Sequence, residues 1–163
     1  MLANPILINM DSMSVVTQES GLLQMTLRSD PGMLSEVRTS VCEWSLQHHW
    51  TADEAAEITL AVDEALTNVI RHAYQCDSKH AILLSLRELQ DCEAAGVEVR
   101  LRDFGRSCDP ALIRGRPLED VRPGGLGVHI IRAMMNSVQY SPAEGGGTLL
   151  VMRKYKTPET ARR

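Results

Sequence analysis

Residues 60–74 read Leu60-Ala61-Val62-Asp63-Glu64-Ala65-Leu66-Thr67-Asn68-Val69-Ile70-Arg71-His72-Ala73-Tyr74, and they put polar chemistry inside an apolar helix. Apolar residues at Ile58, Val62, Ala65, Leu66, Val69 and Ala73 keep the i, i+3, i+4 period, which predicts a helix with one stripe turned to a core. Glu57, Glu64, Asn68, Arg71 and Gln75 fall on a neighbouring stripe. Glu64 and Asn68 are one turn apart, so a carboxylate and a carboxamide project side by side from a rigid rod. Such a pair can hold a hard cation and a proton acceptor together, whereas the plainer reading is a solvated acidic helix face. Asp63 is turned about 100° round the helix from Glu64 and faces elsewhere.

Working outward, Thr51-Ala52-Asp53-Glu54 has the spacing of a capping box and opens this helix, which is predicted to run to about Gln75. An earlier helix is predicted from the Asp30-Pro31 opening to about His48, because Asp30 can cap free N–H groups and Pro31 sits where a missing donor costs nothing. Alternation predicts strands over residues 22–28, 80–88 and 96–103, with a turn over 91–95. Residues 104–124 lose all periodicity and hold Pro110, Gly115, Pro117 and Pro123, the mark of either a functional lid or a disordered segment. A helix over 127–135 and strands over 137–140 and 148–155 follow, the strands joined through a glycine-rich loop at 142–147. The expected fold class is α+β: a two-layer sandwich of a largely antiparallel, mixed sheet with helices on one face. Residues 1–20 are expected as an arm or edge strand, 21–156 as the domain with its lid at 104–124, and 157–163 as a tail.

With 163 residues, 44% of them apolar, the chain fits one domain. No apolar run approaches a membrane span and no signal-peptide pattern opens the chain, so a cytoplasmic protein without membrane contact is expected. A net charge of −4 argues against direct nucleic-acid binding, which needs a basic stripe. Cys42, Cys76, Cys92 and Cys108 show neither zinc-ligand spacing nor a disulfide framework and are expected as reduced packing residues.

Two further segments carry chemistry. Asp103-Phe104-Gly105 closes a strand, so Asp103 is expected at the sheet's end as an acceptor for the exocyclic amine of adenine, with Gly105 letting the backbone come close to the base. Alone, Asp-x-Gly reads equally as a plain turn. Gly124-Gly125-Leu126-Gly127 leads into a helix, so free N–H groups and the positive dipole end face the lid, the chemistry of phosphate binding. Standing alone, it is a glycine-rich helix start.

Their order, with Gly-Gly-Thr148 on the last strand, resembles the GHKL ATP-binding superfamily of gyrase, MutL and histidine-kinase catalytic domains, with its Bergerat-type fold. More closely, over about residues 22–155, the chain is similar to the anti-sigma-factor serine kinases that work by partner switching. Glu64-x-x-x-Asn68 followed by His72-Ala73-Tyr74 is the most specific part. The resemblance implies ATP and Mg²⁺ as cofactors, Glu64 as the general base for a partner's serine hydroxyl, and Asn68 as a Mg²⁺ ligand. It also implies Asp103, Gly105 and Thr148 at the adenine, and Gly124, Gly125, Leu126 and Gly127 at the phosphates. Arg71, His72 and Arg122 are carried as further nucleotide contacts. The implied substrate is an anti-anti-sigma protein of STAS type, with a sigma factor as second partner and a homodimer as the assembly. Asn136 departs from the pattern, standing where many relatives have an acid.

Three other readings compete. A nucleotide-dependent switch could capture partners without phosphorylating them, which the lid also suits. A histidine-kinase catalytic domain needs a helical hairpin that the roughly twenty residues before the first strand do not provide. Rossmann-type dinucleotide binding fits poorly, because Gly-Gly-Leu-Gly does not directly follow a strand.

Overall fold

The computed structural model describes residues 7–8, 15–90, 95–105 and 126–157. Seven strands form one sheet: β1 (Leu7–Ile8), β2 (Val15–Glu19), β3 (Leu22–Arg28), β4 (Ala81–Gln90), β5 (Ala95–Asp103), β6 (Ser137–Pro142) and β7 (Thr148–Tyr155), in the order β1-β2-β3-β4-β5-β7-β6. Every pairing among the described strands is antiparallel. Among the described residues there are three α-helices: α1 (Leu34–Gln47), α2 (Ala52–Asn68) and α3 (Leu126–Met134).

The period-two pattern explains the layering. Leu23, Met25 and Leu27 on β3, Ile82, Leu84 and Leu86 on β4, Val97, Val99 and Leu101 on β5, and Leu150 and Met152 on β7 are buried together. Val37, Val41 and Trp44 of α1, Ile58, Val62, Ala65 and Leu66 of α2 and Ile131 of α3 close the same cluster from the helical side. The other sheet face mixes Gln24, Thr26, Ser85, Arg100 and Arg102 with Leu83, Leu149 and Val151.

Both helix starts form as the residues dictate. Asp30 Oδ1 accepts from Gly32 N at 2.9 Å and opens a short 3₁₀ turn, Pro31–Met33, ahead of α1. At α2, Glu54 N donates to Thr51 Oγ1 at 3.2 Å while Thr51 N donates to Glu54 Oε2 at 3.1 Å, the reciprocal capping box. Asp63 is turned to α1, where Arg38 Nη1 meets its Oδ1 at 3.0 Å.

Two expectations need correction. Regular α-helix stops at Asn68, short of Gln75: Val69–Ala73 is a π-helical turn, closed by Tyr74 N donating to Val69 O at 3.1 Å. The wider turn rotates Arg71 and Gln75 away from the stripe that a straight helix gives them. Gln75 and Cys76 follow in left-handed conformations, φ 52° and 64°. Cys76 is exposed instead of packing. Near the N-terminus, residues 15–19 form a full strand, joined to β3 through Gly21 at φ 76°. The expected 91–95 turn, except Ala95, lies outside the described residues, as do Cys92, Cys108 and the end of the tail.

On the open face, Glu98 is a charged side chain exposed by only 4%. Arg153 reaches its Oε2 at 2.7 Å, and Arg87 and Arg100 reach its Oε1 at 3.1 and 3.5 Å, joining β4, β5 and β7. Burial pushes this carboxyl up, but the hydrogen bond and charge of Arg153, with Arg100 and Arg87, outweigh it and leave the pKa below the ordinary 4.5. A lowered folded pKa gives stability that is present above the unfolded value and lost as pH falls through the folded one. Denaturation midpoints should therefore drop as pH falls below about 4.5, and Glu98→Gln should be less stable at neutral pH with a flatter acid limb. An unchanged acid limb in the variant contradicts this assignment.

Candidate functional site

Two groups of the expected residues assemble on α2 and its π turn. The first lies under the start of α3. Gly127 is packed so closely on α2 that a Cβ added to it would lie 2.7 Å from Glu64 Oε2 and 3.3 Å from both Oδ1 and Nδ2 of Asn68. A side chain at this position would have to push the Glu64 carboxylate aside. The helix start, with its free N–H groups and dipole, therefore stands beside two oxygen-bearing side chains that are half-buried on a rigid element. A hard cation and a phosphate are the ligands such a set suits, since oxygen donors hold Mg²⁺ and amides hold the anion.

The second group is at the end of β5. Asp103 is 3% exposed, and its Oδ1 accepts from Gly105 N at 3.0 Å and Thr148 N at 3.3 Å. Burial raises the Asp103 pKa above the usual 3.8, and the two amide bonds, the charge of Arg102 and the Thr148 hydroxyl offset this only in part. Thr148 is delivered by the β6–β7 hairpin, whose Gly145, Gly146 and Gly147 take φ of 81°, 96° and 77°. Gly147 passes so close to the Asp103 carbonyl that no side chain fits there. Gly105 rests on the π turn: a Cβ would meet Ala73 O at 2.8 Å and Ala73 Cβ at 2.9 Å. An open cavity of about 450 Å³ lies between residues 73–75 and Phe104–Gly105, with Asp77 and His80 on its wall.

One helical element thus carries both groups. Glu64 lies on α2 and Ala73 at the end of the π turn that continues it, nine residues on. Arg71 and His72 are exposed and join neither group among the described residues. Leu126 begins α3 and is 63% exposed. Arg122, Gly124, Gly125 and nearly all of the expected 104–124 lid lie outside the described residues. Asn136 lies away from both groups and accepts from Tyr155 N at 2.8 Å. Sequence reasoning gave no role to Tyr74, although its hydroxyl accepts from Phe104 N at 2.7 Å; the signal was its place directly after His72-Ala73.

An antiparallel sheet under three helices, with an acid-and-amide helix beneath a glycine-opened α3 and a buried aspartate closing the neighbouring strand, defines a nucleotide-binding domain of GHKL type. The chain belongs to the histidine kinase-like ATPase domain family, whose model matches residues 27–154. It is 30% identical over 141 residues to the serine-protein kinase RsbW of Halalkalibacterium halodurans, covering 82% of each chain. The serine/threonine-protein kinase BtrW of Bordetella bronchiseptica is 30% identical over 71% of this chain and 81% of its own. An anti-sigma F factor from Priestia megaterium is 30% identical over 78% of this chain and 87% of its own. Among solved structures, a chain of the SiaB–SiaC complex from Pseudomonas aeruginosa shares the fold at a TM-score of 0.59 and 14% identity, over 82% of this chain and 88% of that one.

Asp103 gives a test that separates fold from site. A raised carboxyl pKa favours the protonated folded state, so this group's contribution to stability falls as pH rises through the folded value. Asp103→Asn keeps an acceptor for both amides and removes the buried charge. Its midpoint of thermal unfolding at pH 7 should equal or exceed that of the wild type, while ADP affinity by calorimetry should fall by about tenfold or more, because an NH₂ group then faces the ligand's amine. Retained affinity would remove Asp103 from the site.

Proposed function

We propose that the protein is an ATP-dependent serine kinase of the anti-sigma type, which phosphorylates a STAS-type anti-anti-sigma protein and sequesters a sigma factor. The observation that carries this reading is the placing of Glu64 and Asn68 beneath Gly127, at one end of the helical element whose other end supports the Asp103 turn. The names of the relatives agree with it, since two are protein kinases and one an anti-sigma factor.

In this reading Asn68 holds Mg²⁺ through its Oδ1, and the amides opening α3, with Gly124, Gly125, Leu126 and Gly127, hold the phosphates. Asp103 accepts from the adenine amine, with Gly105 and Thr148 fixing its carboxylate. Bound ATP and Mg²⁺ supply the phosphoryl group and the neutralising charge. Glu64 would accept the proton of the partner's serine hydroxyl as that oxygen bonds to the γ-phosphorus and the bond to the departing ADP breaks, the role left for a carboxylate beside the phosphate end. Arg122 and Arg71 are assigned to phosphate charge, and His72 to the nucleotide's rim. The assembly is a homodimer in the cytoplasm. No helix among the described residues is long and apolar enough to cross a membrane.

The test uses labelled ATP, Mg²⁺ and a purified STAS-type anti-anti-sigma protein. Label should pass to a serine of the partner, and Glu64→Ala should lower the rate at least about a hundredfold while ADP and partner binding persist. Light scattering of the protein, alone and with added sigma factor, reads the dimer and the bound sigma factor. Full transfer by the variant would contradict the role of Glu64. Nucleotide-dependent partner capture with no transfer by the wild type would instead establish the non-phosphorylating switch.

A further inference from the structure

Tyr74 is 5% exposed, and its phenol joins three segments. It donates to Ala81 O at 2.7 Å, at the start of β4, and accepts from Phe104 N at 2.7 Å, within the turn that follows Asp103. Its own position is fixed from both sides along the chain. Before it, the π turn is closed by Tyr74 N on Val69 O at 3.1 Å, and Cys76 N donates to Ile70 O at 2.8 Å. Behind it, Gln75 and Cys76 hold left-handed conformations without being glycine, a local strain that the surroundings must sustain.

The segment that follows is pinned as well. Ser29, fully buried at the end of β3, donates through Oγ to Asp77 O at 2.5 Å and accepts from His80 N at 3.1 Å. His80 in turn stacks on the Tyr74 ring, with centroids 4.5 Å apart and planes 10° from parallel. The phenol therefore sits in a fixed place from which it presents a lone pair to one backbone N–H. Beside it, Ala73 forms the surface on which Gly105 rests. Phe104 and Gly105 are thus held from below by consecutive residues, Tyr74 and Ala73, and Gly105 N is one of the two amides that orient Asp103 Oδ1.

We infer that Tyr74 is a positioning residue: its hydroxyl sets the Asp103-Phe104-Gly105 turn against the end of the Glu64–Asn68 helix, and so aims the base-reading carboxylate. The inference rests on the reading of Asp103 as the acceptor for adenine. Without the hydroxyl, the Phe104 N–H and Ala81 carbonyl both lose a buried partner, and the turn is free to lift from Ala73. Selectivity for the base, which depends on where Asp103 points, is lost ahead of phosphate binding, which is anchored at Glu64, Asn68 and Gly127.

The test measures ADP and GDP affinity by calorimetry for the wild type and Tyr74→Phe. ADP should weaken about tenfold in the variant with GDP little changed, so that the ADP-to-GDP preference collapses. A purely structural loss would weaken both alike, and an unchanged ratio overturns the inference while leaving the nucleotide site intact. A folded wild type that binds no ADP would instead remove the reading of Asp103 on which the inference stands. Hydrogen exchange in the wild type decides the matter independently of how the variant folds. The Phe104 amide should be protected and slow further with ADP; exchange at the rate of a free peptide overturns the bracing.

Discussion

The structure depends on one helix serving two environments. α2 buries Ile58, Val62, Ala65 and Leu66 to 2% exposure or less, which fixes its rotation and height over the sheet. Glu64 and Asn68 stand on the next stripe and inherit that rigidity. Because packed cores admit little displacement, side chains carried on such an element are held without needing a network of their own. The cost appears at the C-terminal end, where the helix widens into a π turn and two non-glycine residues take left-handed conformations. Insertions of this kind are frequent at functional sites. Here the insertion lets Ala73 and Tyr74 face the strand end that carries Asp103.

Glycines at Gly105, Gly127 and Gly147 perform the complementary task on the opposing segments. Each brings backbone to within van der Waals contact of a site group, and each would collide with it if given a Cβ. The result is a pair of facing surfaces, one of side chains on α2 and one of backbone, which suits a ligand with a polar base at one end and anionic groups at the other. Burial raises the Asp103 pKa above the ordinary carboxylate value in spite of its two amide hydrogen bonds.

Much of this was legible in the sequence because it rests on local rules. The 3.6-residue stripe, the Thr51–Glu54 box, the Asp30-Pro31 opening and the alternating strands each determine their own geometry, and all of them form. The grouping of Glu64, Asn68 and Gly127, and of Asp103, Gly105 and Thr148, followed from motif order and the resemblance, since spacing along the chain cannot bring residues sixty positions apart into contact. What escaped was non-local. The π turn conflicts with a helical pattern that continues through Ala73, so periodicity extends the helix too far. Tyr74 closes the specific His72-Ala73-Tyr74 stretch, but its role is not legible along the chain until its hydroxyl is seen to meet Phe104 N, thirty residues on. Glu98 and its three arginines alternate as ordinary strand positions, and only the register of β4, β5 and β7 brings them together.

Glu64, Asn68 and the Gly127 helix start are proposed as the metal-and-phosphate end of a nucleotide site. The most direct measurement is calorimetric titration of the protein with ATP, with and without Mg²⁺, alongside Asn68→Ala. The account predicts that the wild type binds ATP more tightly with Mg²⁺ and that Asn68→Ala, still folded, loses this gain. A folded wild type that binds no nucleotide, or a variant that keeps the full Mg²⁺ dependence, would contradict it.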